Sequence, residues 1–376
     1  MRIVYLAESE IPSRAANSVH VMKMCSAFAN LGHDVHLVVP RTSRESNEQA
    51  SFTFYGVAKN FRIHRLVRRN VPGMRTWFAL KCAYVARRLR PDLAYGRFLH
   101  ACWAAVQLGL EVVYESHAPE SDVSAQSARL VRRLIRSPRL KRLVVISHAL
   151  KQHYLREFPA VAEKIVVIPD AADEVVSNVT PVDLHALNGR LQVGYVGHLY
   201  RGKGMELISA LAPRCTWADF HIVGGTEEDL AAWRSRLSNS GNVHVHGFIA
   251  PGEADRYRLA FDVALAPYQR SVHGHGSAQD IGEWMSPLKI FEYMAARRPI
   301  IASDLPVLRE ILQHGETALL CPPDDVDAWA QALARLRDSA ELRVRLGQTA
   351  YDQFQKHYMW RRRAERILAM TAATPQ

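Results

Sequence analysis

LQVGYVGHL, residues 191–199, reads as a strand running into a glycine turn, and it restarts at mid-chain a pattern that the preceding residues have already used once. Apolar or β-branched runs that alternate with longer segments of helical period are the mark of parallel α/β units. Upstream of 191, strands are expected at 2–7, 34–40, 61–67, 93–97, 112–116, 142–147 and 164–169. Helices are expected at 17–32, 73–89, 98–108, 121–136 and 148–156. Downstream, strands are expected at 191–198, 218–224, 243–247, 263–267, 299–303 and 318–321, with helices at 204–212, 227–238, 252–260, 287–297, 306–312 and 325–337. At 376 residues the chain exceeds the roughly 250 to 300 at which one core stops growing. The expectation is therefore α/β, with two doubly wound sheets over 1–172 and 186–354 joined by the polar stretch 173–189. A ligand between two such domains would meet the carboxyl ends of strands from both.

The composition, 48% hydrophobic and 23% charged, is that of a soluble globular chain. The net charge of +11 is unevenly placed, since residues 1–185 carry 26 Lys and Arg against 16 Asp and Glu. Much of the excess sits in Arg65, Arg68, Arg69 and Arg75, in Arg87, Arg88 and Arg90, and in Arg132, Arg133, Arg136, Arg139, Lys141 and Arg142. Such a face suits peripheral contact with an anionic membrane or an anionic substrate, or is a solvated surface. Nucleic acid is not expected, because no aromatic stacking array interleaves the basic clusters. The five cysteines are scattered, odd in number and without a CxxC pair, which points to reduced thiols and away from zinc. Met1 leads straight into a strand pattern and no apolar run approaches the ~20 residues of a membrane span, so a cytoplasmic protein is expected, peripheral at most on the inner membrane face.

Four stretches carry chemistry. In MSPLKIFEYMAARRPIIASD (285–304), Ser286 is the expected N-cap and Pro287 the first helical residue. Lys289 then stands where a capping box would place Glu or Gln, so open amides, the positive dipole end and an extra cation gather where a phosphate fits. Glu292 lies a turn deeper, placed to accept a sugar's vicinal hydroxyls. VGYVGHLYRGKGMELI (193–208) is a strand, a glycine turn and a helix, with Gly197, Gly202 and Gly204 permitting close approach and Arg201 and Lys203 able to neutralise a diphosphate. EIPSRAANSVHVMK (10–23) places Ala15, Ala16, Asn17 and Ser18 at a helix start, with Asn17 equally a plain N-cap. VVYESHAPE (112–120) delivers His117 and Glu120 from the end of a buried strand, a structural or a functional position.

Together these stretches resemble the retaining glycosyltransferases of the GT-B fold, specifically glycosyltransferase family 4 (group 1), over essentially the whole chain. The resemblance implies two Rossmann-like domains facing each other across a cleft, acceptor on the first and nucleotide sugar on the second. It implies that Ser286, Pro287, Leu288 and Lys289 hold the diphosphate and Glu292 the ribose, and that Arg201 and Lys203 engage the departing diphosphate. Gly197 and His198 occupy the diphosphate turn, His198 where relatives carry arginine. Ala16 and Asn17 would face the donor sugar, and His117 matches the family's active-site histidine. Eight residues before Glu292, where many relatives carry a first glutamate, stands Trp284, with Glu283 adjacent. The tail 355–376 resembles the helix that crosses back to the first domain, with Tyr358 and Trp360 as apolar anchors and the arginines on the wet face, or is a plain final helix.

The implied reaction moves a sugar from a nucleotide diphosphate sugar, UDP or GDP first, to a hydroxyl on a glycan or a lipid-linked acceptor, with retention at the anomeric carbon. No metal ligand and no cofactor is expected, because the cations do a metal's work. The alternatives are a nucleotide-sugar epimerase, an inverting transferase, or a non-catalytic protein that binds sugar nucleotides. A dehydrogenase is disfavoured, since no GxGxxG follows the first strand.

Overall fold

The computed structural model describes residues 1–41, 47–68, 74–184, 189–237, 240–273 and 280–372. The chain divides into two units, Met1–Asp170 with Trp360–Gln376, and Ala171–Met359. In the first, seven strands form one sheet: β1 (Arg2–Leu6), β2 (Asp34–Pro40), β3 (Arg62–Leu66), β4 (Leu93–Gly96), β5 (Val112–Ser116), β6 (Leu140–Val145) and β7 (Ile165–Val167), in the order β3-β2-β1-β4-β5-β6-β7. In the second, six strands do the same: β8 (Leu191–Val196), β9 (Ala218–Val223), β10 (Val243–Gly247), β11 (Val263–Ala266), β12 (Ile300–Ser303) and β13 (Leu319–Cys321), in the order β10-β9-β8-β11-β12-β13. Every pairing is parallel. Parallel sheets need helices on both faces, which is why Ile3 to Ala7 are all 0% exposed rather than alternating. Each order reverses at its first strand, and such a switch point opens a crevice at the strands' carboxyl ends.

The strands lie within two residues of their expected places, and the fold is the expected pair of Rossmann-like domains. Two helices depart from expectation. Glu48–Tyr55 forms despite its aromatic and β-branched residues, because Asn47 Oδ1 accepts the Gln49 amide at 3.0 Å and Gly56 closes the end at φ +59°. Ala340–His357 runs for 18 residues through Gly347, whose bare α-carbon lies so close to the Arg297 carbonyl that a Cβ would stand 2.4 Å from it. That glycine acts as a contact in the fold.

The polar stretch 173–184 belongs to the second unit instead of hanging between two bodies. Tyr351 donates to Glu174 at 2.7 Å, and the Val182 amide donates to the Arg256 carbonyl at 3.0 Å. The expected boundary at 186, the last four residues of the tail, and Arg69 lie outside the described residues.

Candidate active-site residues

In the second unit β8 ends on Tyr195 and Val196, and the helix Leu288–Ala295 begins one residue later than expected. Pro287 is its N-cap and makes no side-chain bond, so Ser286 is not the cap and Lys289 is the second helical residue. Lys289 is turned inward, at 7% exposure. Its Nζ lies 3.6 Å from the centroid of the Tyr195 ring and 5.2 Å from that of Tyr268, and finds no hydrogen-bond acceptor among the described residues. Lys203 Nζ stands over the same Tyr268 ring at 5.3 Å. Burial pushes the Lys203 ammonium down to about 8, and burial together with the charge of Lys203 holds Lys289 well below the usual lysine range. Aromatic faces return only part of the lost hydration, about 2 kcal/mol when desolvated. Two ammoniums lie around one ring, and although the charge of Glu292 offsets part of the cost at Lys289, neither lysine has an ion pair among the described residues, so an anion would relieve the site.

Gly197, at φ +152°, borders this site, and a Cβ there would fall 2.9 Å from Lys289 Nζ. Gly202 and Gly204 permit the expected close backbone approach. Their missing side chains make room for the chain's own backbone, the Ser271 and Pro267 carbonyls, each about one bond length too close for a Cβ. His198 stacks on Tyr200 with ring centroids 4.7 Å apart, and its carbonyl accepts from Tyr195 at 2.5 Å. Arg201 is exposed on the turn, while Ser286 is buried. Glu292 is gripped by the buried Arg258, whose Nη2 reaches its Oε2 at 2.6 Å. An Asp-x-Asp pair follows β13, but Asp325 caps the next helix and Asp327 pairs with Arg214.

In the first unit, Ala16 and Asn17 are exposed at the start of the helix Ala16–Asn30, whose cap is Ala15. Asn17 is therefore not the cap. His117 leaves β5 and donates from Nε2 to Glu115 Oε1 at 2.5 Å. Burial, then the charge of Arg97, pushes its imidazole down to about 4, so it is neutral at pH 7. Glu115 is fully buried. Burial alone would raise its carboxyl, but Arg363 overrides this and holds it well below the usual range. Arg363 comes from the helix Trp360–Ala372 and grips Glu115 in a fork, Nη2 to Oε1 at 2.8 Å and Nη1 to Oε2 at 3.2 Å. Tyr95 also donates to Glu115. His20 bonds Asp170 through Nδ1 at 2.9 Å, with Nε2 3.0 Å from Glu115 but off the hydrogen-bonding direction.

Arg363 corrects the expectation that the tail's arginines face water, being 1% exposed while Arg361 and Arg362 lie outside. Trp360 anchors the helix in the first unit, whereas Tyr358 packs on Phe291 in the second. His20, Glu115, His117 and Asp170 place possible ligand atoms within 4.8 Å of one another. Of these four, Glu115 is already paired with the guanidinium of Arg363. Of these, only His117 was singled out by sequence. The legible signal for Glu115 was a carboxylate inside the apolar run VVYES.

Residues 18–174 match the family model described as Glycosyltransferase Family 4, and residues 190–339 match that described as Glycosyl transferases group 1. Each half thus matches a glycosyltransferase-family model. The family 4 half carries His117, and the group 1 half carries Lys203, Lys289 and Glu292. Phosphatidyl-myo-inositol mannosyltransferase of Mycolicibacterium smegmatis is 28% identical over 147 residues, 38% of this chain and 34% of that protein. The matched segments span no more than 34% of the curated relatives' length. Among solved structures, sucrose-phosphate synthase from Thermosynechococcus elongatus superposes with a TM-score of 0.75 at 18% identity, covering 99% of this chain and 98% of that one. Anabaena HepE in complex with UDP and glucose superposes at 0.74 with 14% identity and 99% of each chain covered. These likenesses establish the GT-B kind of fold. The five cysteines are free and buried, and no helix among the described residues is long and apolar enough to cross a membrane.

Proposed function

We propose that the protein transfers a sugar from a nucleoside diphosphate sugar to a hydroxyl acceptor, with retention at the anomeric carbon. The observation that carries this reading is the pair of buried lysines without an ion pair among the described residues, Lys203 and Lys289, around Tyr268 beside the open face of Gly197. A diphosphate supplies the missing negative charge, and it needs most stabilisation as it departs, which is when these ammoniums act. Glu292, held by Arg258, is left with Oε1 for the nucleoside ribose. Arg201 is free to swing onto the outer phosphate, and Ser286, Pro287 and Leu288 present the helix start to it. Retention is supported by the family 4 likeness: the acceptor oxygen bonds to the anomeric carbon on the face that the phosphate leaves, and the leaving phosphate oxygen takes the acceptor's proton. Neutral His117, with Ala16 and Asn17, is assigned to sugar hydroxyls on the first unit. No metal is assigned to the reaction, since Lys203 and Lys289 supply its charge. UDP is the first nucleotide to test, since the structural relative HepE is described with it.

The acceptor side is assigned to the family 4 half, with the enzyme working in the cytoplasm. Its helix Met74–Leu89 has no acidic residue and exposes Trp77, Leu80 and Tyr84 at helical spacing, with Lys81, Arg87 and Arg88 alongside. That mixture suits an anionic membrane surface carrying a lipid-linked acceptor.

A thermal-shift titration tests the donor site. A ligand that binds only the folded form adds about 2.7 kcal/mol at a hundredfold excess over Kd. UDP or a UDP-sugar is expected to raise the Tm, and Lys203→Ala to remove most of the rise. An equal rise in Lys203→Ala and Lys289→Ala, or no response to any nucleoside diphosphate, would overturn the assignment. Anomeric configuration of the product, followed by NMR, separates retention from inversion, and turnover without acceptor would mark an epimerase.

A further inference from the structure

Arg97 follows β4 directly, and Gly96 of β4 is paired with Tyr114 of β5, so Arg97 leaves the sheet at the edge from which His117 emerges. Its backbone is fixed there, the amide donating to the Leu6 carbonyl at 3.2 Å. The side chain is partly buried, and among the described residues its guanidinium makes neither a hydrogen bond nor an ion pair. Five donors in a fork that is always charged are thus left without an acceptor. Burial pushes this group down from its usual range, and its charge reaches far enough to depress His117.

The surrounding carboxylates do not supply the partner. Asp170 is bonded to His20, and Glu115 is held by Arg363. Glu8 is shared between Arg68 at 3.3 Å and Arg75 at 2.7 Å. Glu120 accepts from Tyr114 at 2.5 Å, and burial pushes its carboxyl up. His100, pushed down to about 4 by burial and by Arg75, adds no charge but keeps an unbonded Nδ1. Four guanidiniums, Arg68, Arg75, Arg97 and Arg363, therefore share this region with four carboxylates that are each engaged by another group, and Arg97 is reached by the charge of Asp170 without a bond to it.

We propose that Arg97 anchors an oxyanion subsite in the first unit, which takes a phosphate or carboxylate group carried by the acceptor beside the hydroxyl to be glycosylated. The inference rests on the transferase reading above and names the acceptor class as anionic. A planar guanidinium matches either oxyanion through paired N–H bonds, and such charge-assisted pairs are roughly twice as strong as neutral ones.

The test uses the full chain saturated with UDP, so that the lysine site is filled, and follows Tm during titration with inorganic phosphate and, separately, acetate. At least one oxyanion is expected to raise the wild-type Tm. Arg97→Gln is expected to weaken that response at least tenfold while leaving the UDP response intact, and Arg97→Lys to weaken it several-fold. If Arg97→Gln does not fold, Arg97→Lys alone decides, since it keeps the charge and loses the fork. No response to either oxyanion in the wild type, or an unchanged one in the variants, overturns the proposal. So does a parallel loss of UDP binding in Arg97→Gln, which would assign the guanidinium to the donor. If UDP fails to shift the wild type, the donor reading fails, and the same titrations without UDP still decide for or against the Arg97 subsite.

Discussion

Lys289 concentrates the tension between stability and use at a single residue. A buried ammonium without an acceptor leaves a desolvation cost above the ~1–3 kcal/mol of a neutral polar group. Lys289→Met, of similar length and shape, is expected to raise the Tm by a few degrees while weakening UDP binding at least tenfold. Denaturation and calorimetric titration on the same sample would check both. Lys203 adds a pH signature, because its proton leaves near pH 8 and not near the ordinary lysine value of 10.5. UDP affinity is expected to fall as pH rises through about 8, and the fall should vanish in Lys203→Ala. At this scale Lys203, Lys289, Glu292 and His117 were legible in the sequence, because each follows a strand or opens a helix where a Rossmann-like fold exposes its carboxyl edge. The inward turn of Lys289 was not, since it is set by the rings of Tyr195 and Tyr268, which are distant in sequence. Arg97 gave no local signal either, because a single arginine after a strand says nothing of missing partners.

The helix Trp360–Ala372 is tied to the first unit by Arg363, which bonds Glu115, the Pro169 carbonyl at 2.9 Å and the Ile168 carbonyl at 3.3 Å. Removing one member of a buried pair costs about 3–5 kcal/mol, more than most single contacts, because the other charge is stranded. Arg363→Ala is expected to lose that much in urea unfolding, with Arg363→Lys intermediate because an ammonium cannot reproduce the fork. Acid should act through the same cluster. His117 is pushed to about 4 from 6.5, so between those values the unfolded chain binds the proton more readily. Glu115 and Asp170, both lowered, work in the same direction as pH falls further. Stability is therefore expected to decline as pH drops from 6.5 through 4, visible as a falling Tm, less steeply in His117→Gln. Periodicity alone located the strands, since parallel sheets write near-continuous apolar runs. It could not tell Arg363 from Arg361 and Arg362, because the buried direction is set by a partner more than two hundred residues away in sequence.

For the molecule as a whole, the uneven charge becomes a measurable surface property. The first unit, with the exposed Trp77, Leu80 and Tyr84, is expected to bring the full chain down with vesicles of anionic phospholipid at low salt, and to release it as salt rises. Trp77→Ser with Tyr84→Ser should weaken sedimentation severalfold without altering the UDP response. Equal binding to neutral vesicles, or none to either, would remove the membrane from the account. The division of the chain has a further effect during its own synthesis. The residues that complete the first unit are made after the whole of the second, and about half of these 376 residues are translated between Asp170 and Trp360. At about 5–20 residues per second, the nascent amino-terminal half waits on the order of 10 to 40 s with Glu115 still lacking its guanidinium. Through that interval it is a natural client for holding chaperones, and its fold closes only when the ribosome delivers Arg363.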